Sequence, residues 1–249
     1  MQIIDINEAI KADGLRIVIV KAMPSAWGVA AKAMIDFKSL DFKVAYQIPM
    51  ADNPELAAWS GTNSAPVVAW NDEPPINRWD DILMLLERLA PQKRLLPENQ
   101  KERIQALGIC HEICGELGFG WNRRLDLVRP APGTDVSGFG IKYGYREADA
   151  AAANTRVSAF IAELAAILKA QKERGSDYLV GQSVTAADFY WAAFSNFVVL
   201  QPAEEMPMNP DARPMFMNTP AEIIAAMDPI VIEHRDRIMR THYKLPVQL

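Results

Sequence analysis

The spacing of apolar and polar positions changes character near residue 98. Upstream, Leu15-Arg16-Ile17-Val18-Ile19-Val20 is a short, β-branched, nearly continuous apolar run, which predicts a strand covered on both faces and central in its sheet. After Pro24-Ser25, the segment 26–37 places Val29, Ala30, Ala33, Met34 and Phe37 on one helical face, and a second strand is expected over Phe42 to Ile48. Strand, helix and strand of these lengths make a right-handed crossover unit. Pro54 to Trp59 reads as a short helix, Pro66 to Trp70 as a third strand, and Trp79 to Leu89 as an amphipathic helix. Between the last two, Asn71 to Pro75 is turn chemistry and Ile76-Asn77 a brief fourth strand.

The segment Ala90 to Pro97 is polar and bracketed by prolines, as a linker would be. Beyond it nothing alternates like a sheet. Long helical stretches are expected over 99–127 and 146–174, separated by a Gly/Pro-rich loop from Arg129 to Tyr145, with more helix over 185–200 and 220–241. The organisation predicted is an α/β domain over 1–90, a linker over 91–98 and an all-helical domain over 99–249. Gly115, Gly118 and Gly120 are costly in a helix interior, about 1 kcal/mol each against alanine, and point to a kink or a close backbone approach.

Composition narrows the class. Half of the 249 residues are apolar and the net charge is −5, so there is no basic footprint for nucleic acid or an anionic membrane. The first residues lack the basic flank and apolar stretch of a signal peptide, and no later run reads as membrane-spanning, so a cytoplasmic location is expected. Cys110 and Cys114 lie four apart in a helical pattern and read as small buried apolar residues, ahead of a redox pair. His111 beside them points elsewhere and no further ligand is near, so no metal is expected. A phosphate-cradling glycine loop and a G-x-S-x-G elbow are both missing from the sequence.

Thr185 followed by Asp188 within the stretch 178–194 is a capping-box pattern, with Val184 and Phe189 placed for a hydrophobic staple. Its position deep in a helical half, after a β-α-β-α-β-β-α half, is more specific than the box itself. On these features the chain resembles the glutathione S-transferase superfamily. Ala65-Pro66-Val67 stands at the position of the thioredoxin-like fold's cis-proline turn, and Asp81 to Glu87 looks like the helix closing that half. The linker over 90–98 and Gly181 to Asp188 complete the likeness. The resemblance implies a thioredoxin-like N-terminal domain, an all-α C-terminal domain, glutathione as co-substrate and a homodimer. It also implies a small hydrophobic or carboxylated second substrate that is conjugated, isomerised, cleaved at an ether or dehalogenated. Some proteins resembling this family instead serve as non-catalytic binding or assembly subunits.

A helix N-terminus stabilises an anion by about 0.3–2 kcal/mol, and in the resembling family that anion is the glutathione thiolate. Ser25 is the hydroxyl in this turn and the candidate donor to the sulfur; capping the helix is the other role open to it. A shifted register would put Met23 at the catalytic position, and methionine neither donates a hydrogen bond nor attacks. Trp27, Ala65 and Pro66 complete the expected ligand site. Where the family usually carries an acid and a serine to grip the γ-glutamyl group, this chain has Arg78 and Trp79. An arginine cannot accept from an ammonium, although it binds a carboxylate well; pairing with Asp80, Asp81 or Glu55 is the alternative. For the second substrate the resemblance points to Phe119, Trp121 and Arg124, with Arg123 as an alternative to Arg124. Tyr143 and Tyr145 stand on the adjoining loop, which is long enough for a lid.

Overall fold

A computed structural model describes residues 2–249. Two compact units divide the described residues: one takes 2–96, 201–212 and 238–249, the other 97–200 and 213–237. The segments 201–212 and 238–249, read from sequence as parts of the helical stretch, therefore cluster with the first unit.

In the first unit, β1 (Gln2–Ile3), α1 (Ile6–Lys11), β2 (Leu15–Val20), α2 (Ala26–Phe37), β3 (Phe42–Gln47), α3 (Pro54–Ser60), β4 (Val67–Trp70) and α4 (Trp79–Leu89) follow in order. The sheet order is β1-β3-β2-β4, with β2 parallel to β3 and antiparallel to β4. The apolar run therefore lies inside the sheet, with Leu15, Ile17, Val18 and Ile19 buried. Arg16 is buried there as well. Its guanidinium donates to the carbonyls of Ala9, Gly14 and Asn71, which satisfies a charge that an apolar strand otherwise excludes. β1 and α1 carry too little periodicity to be read from sequence; β1 is two residues held by parallel pairing with β3. The expected fourth strand reduces to a single bridge between Val68 and Ile76.

Lys38, buried, and Lys93, half-buried, tie the end of α2 to α4 and the segment after it. Lys38 Nζ lies 3.0 Å from the Ala90 carbonyl, 2.7 Å from the Lys93 carbonyl and 2.7 Å from Glu87, so a cation sits where α4 ends and its carbonyls lack partners. Reciprocally, Lys93 Nζ donates to the Phe37 carbonyl at the end of α2.

The second unit contains α5 (Gln100–Cys114), α6 (Phe119–Leu127), α7 (Gly138–Lys142), α8 (Glu147–Glu173), α9 (Ala186–Phe194) with a 3-10 turn over Ser195–Phe197, α10 (Arg213–Met217), α11 (Ala221–Ala225) and most of α12 (Pro229–His242). The helix expected over 99–127 is broken into α5 and α6. A Cβ on Gly115 would meet the His111 carbonyl oxygen at 2.7 Å, and one on Gly118 the Glu112 oxygen at 2.5 Å, so the chain turns back where only glycine fits. α8 is by length and composition apolar enough to cross a membrane, against the sequence expectation. Here it packs against α6 and α11 through a stripe of Ala150, Ala153, Val157, Ile161, Leu164 and Leu168. Cys110 and Cys114 are buried thiols without a disulfide, and burial, helped by the charge of Asp188, pushes the Cys110 thiol up.

Asp188 is fully buried. Its carboxylate accepts from the Leu179 and Thr185 amides and the Thr185 hydroxyl, completing the capping box, while His234 Nε2 on α12 lies 3.0 Å away. Replacing it leaves several buried donors unmet, and breaking such a pair typically costs about 3–5 kcal/mol. Asp188→Ala should accordingly lower the free energy of unfolding in urea by that margin, and a loss under about 1 kcal/mol would show that the carboxylate is not the tie it resembles.

Candidate functional site

Backbone register places the expected ligand residues of the first unit. Val18 pairs with Val67 in antiparallel β2 and β4, so the residues after Val18 run alongside Pro66 and Ala65. The Ala65-Pro66 peptide is cis, as the resemblance implied. Val68 in turn bridges antiparallel to Ile76, so Asn77 and Arg78 run back toward that same edge before α4 begins. The start of α2, the cis-proline turn and the start of α4 thus share one end of the sheet. The segments bearing Ser25, Pro66, Arg78 and Trp79 therefore lie at this one end, although the cavity that Ser25 lines includes none of the other three.

At the start of α2, Ala22 adopts φ +54, an uncommon left-handed geometry for alanine that costs about 1–2 kcal/mol. Its carbonyl accepts from the Asn209 amide, and the Ser25 amide donates to the Met23 carbonyl. Ser25 is the N-cap residue with extended backbone, yet its side chain makes no capping hydrogen bond. The hydroxyl of this half-buried serine is therefore not used to cap the helix. Met23 and Ser25 line one cavity of about 10 Å3, together with Gly28, Lys32, Gln248 and Leu249. Both sequence candidates for the reacting position thus face the same space. Lys32 was not anticipated, although its spacing of seven from Ser25 marks the shared helix face. It is buried, with Nζ 3.2 Å from Asp36. Trp27 is half-buried in the first turn of the same helix.

Arg78 is occupied at the surface. Its guanidinium donates to both carboxylate oxygens of Asp80, at 3.2 and 2.7 Å, and lies 3.6 Å from Asp81. The bond from Asp80 raises the Arg78 pKa. At Asp80 partial burial pushes the carboxyl up, but the Arg78 bond and backbone amides prevail and hold it below the usual value. Trp79 is half-buried in the first turn of α4. The pairing alternative therefore describes Arg78 here.

The residues expected to wall a second-substrate pocket separate into two groups. Phe119 is buried at 2% exposure and packs against Trp191 and Phe160, with ring centroids 5.3 and 5.7 Å apart. The structure thus places Phe119 in the aromatic core of this unit. Arg123 is also structural, donating to the Phe197 carbonyl at 3.0 Å and to Asp126 at 2.7 Å. Arg124, by contrast, lies over the rings of Trp121 and Tyr143, 5.4 and 4.3 Å from their centroids. Phe139 stacks on Tyr143 at 5.9 Å, so α6 and the expected lid loop build one aromatic and cationic cluster. Burial lowers the pKa of both arginines, with Asp126 opposing it at Arg123 and Tyr143 at Arg124. Among the described residues, no three His, Cys, Asp or Glu side chains converge in a way that would hold a metal.

Core and surface roles differ measurably. Phe119→Ala should cost about 3–5 kcal/mol in urea unfolding, whereas half-buried Trp121→Ala should cost distinctly less; equal losses would place both in the core.

Residues 138–213 match the family model for the glutathione S-transferase C-terminal domain. No curated protein sequence matches the chain. Among solved structures, a Methylobacterium radiotolerans glutathione S-transferase in complex with glutathione sulfonate aligns with TM-score 0.62 and 16% identity, over 91% of each chain. Ure2p in complex with glutathione aligns with TM-score 0.62 and 13% identity, over 92% of this chain and 95% of that one. Rice GST1 in complex with glutathione gives 0.61 and 15%, over 94% and 93%. The chain has the glutathione S-transferase fold, and its residues 138–213 carry the sequence pattern of that superfamily's C-terminal domain.

Proposed function

We propose that this protein binds glutathione at the start of α2 and uses the Ser25 hydroxyl to hold its sulfur as the thiolate, for transfer to a small hydrophobic or carboxylated compound. The observation that carries this reading is the uncapped hydroxyl of Ser25, half-buried beside the first turn of α2 and lining a cavity with Lys32. A thiol near pKa ~8.5 is mostly protonated at neutral pH, and each unit of lowering takes about 1.4 kcal/mol of preference for the anion. A hydroxyl donor, the positive end of the helix dipole and a buried ammonium all act in that direction. Glutathione in complexes of structurally similar proteins supports the ligand assignment. The cluster of Trp121, Arg124 and Tyr143 suits an aromatic acid, offering ring faces and a guanidinium for its carboxylate. Conjugation, isomerisation, ether cleavage and dehalogenation all begin from the same thiolate. A cytoplasmic homodimer is the setting proposed for it.

The second reading, a binding or assembly subunit without chemistry, is favoured by one observation. The position expected to grip the ligand's ammonium holds Arg78, engaged with Asp80. Calorimetric titration with glutathione separates the two. Binding at millimolar affinity or tighter, strengthened several-fold by Arg78→Glu, is expected for the first; absence of binding to both proteins favours the second. In an electrophile assay Ser25→Ala should lower kcat by 10-fold or more with an unchanged unfolding midpoint. Unchanged turnover would remove Ser25 from the role.

A further inference from the structure

The segment after α12 runs along α2 from its end to its start. The His242 ring meets Phe37 edge-on, with centroids 5.7 Å apart, and Lys244 Nζ reaches Asp36 at 2.5 Å. The Val247 amide donates to the Glu205 carbonyl at 2.8 Å, with the Val247 side chain buried. Gln248 and Leu249 then close the cavity that Ser25 and Lys32 line. Its volume of about 10 Å3 is room for about one water molecule, whereas ligand pockets run to about 300 Å3 and more. We propose that Val247–Leu249 form a strap, anchored at Lys244, that closes the Ser25–Lys32 cavity and must lift before an anionic ligand can enter.

The attachments fit that division. The anchor is an ion pair to a carboxylate nearly buried on its own side, and the moving part is held by one backbone hydrogen bond and one buried valine. Asp36 is shared by Lys32 and Lys244, so the three side chains carry one surplus positive charge, and the helix start adds its own amide donors. With the anchor in place that surplus remains after the strap lifts. The opened cavity therefore favours an anion, and its identity as glutathione rests on the reading above.

The test uses accessibility as well as binding. Ser25→Cys places a thiol in the cavity, and both native cysteines are buried in the other unit. Its rate of reaction with N-ethylmaleimide should rise 10-fold or more in a chain ended at Pro246, and likewise in Gln248→Ala/Leu249→Ala, which retains the Val247 contact. Equal rates in all three proteins would overturn the strap. With Ser25 intact, the same two changes should tighten glutathione binding by a similar factor. Faster labelling with no glutathione bound by any of the proteins would leave the strap standing and sink the glutathione assignment.

Discussion

The antiparallel pairing of Val18 with Val67 sets the geometry of the first unit. β2 leads directly into the turn before α2, and β4 begins directly after the cis Ala65-Pro66 peptide, so this one register decides that both turns meet at the same end of the sheet. A slip of one residue would exchange the faces of β4 and set each side chain into packing shaped for its neighbour. Burial of Val67, Val68 and Ala69 on both faces holds the register, and the Val68–Ile76 bridge carries it to the start of α4. Geometry at the site is thus inherited from packing well away from it.

Charge is used inside this unit at three places, each with its partners supplied. Arg16 ends on three carbonyls, Lys38 on Glu87 of α4 and the carbonyls of Ala90 and Lys93 just beyond it, and Lys32 on Asp36. The first two are structural ties: Arg16 joins β2 to the end of α1 and to neighbouring loops, and Lys38 joins the end of α2 to α4 and the segment after it. Lys32 differs in that it also lines the cavity shared with Met23 and Ser25. Arg78 shows the opposite case: an arginine placed by topology beside the site but spent on a neighbouring carboxylate at the surface.

In the helical unit, Asp188 joins the start of α9, the loop at Leu179 and α12, and the Trp191 indole donates to the Val231 carbonyl one turn further on. Phe119 and Phe160 pack on that same indole. The consequence for function is spatial. With Phe119 and Arg123 taken up by the core, Trp121 and Arg124 stand together on α6, and Tyr143 joins them from the loop.

The sequence by itself determined the elements whose signal is local: the buried strand at 15–20, the helices over 26–37 and 79–89, the capping box at Thr185 and the proline at the cis turn. Each follows from periodicity, capping chemistry or a single residue type within a few positions. It also marked Gly115 and Gly118 as a disturbance, though only the return of the chain onto its own carbonyls shows that the helix breaks there. Tertiary structure alone decided which aromatic of the 119–124 segment faces the core, which partner Arg78 takes, and that residues 242–249 run along α2 from its end to its start. Those outcomes depend on contacts between positions far apart in the chain, as between Lys244 and Asp36 or Val247 and Glu205, and no local pattern encodes a partner two hundred or forty residues away.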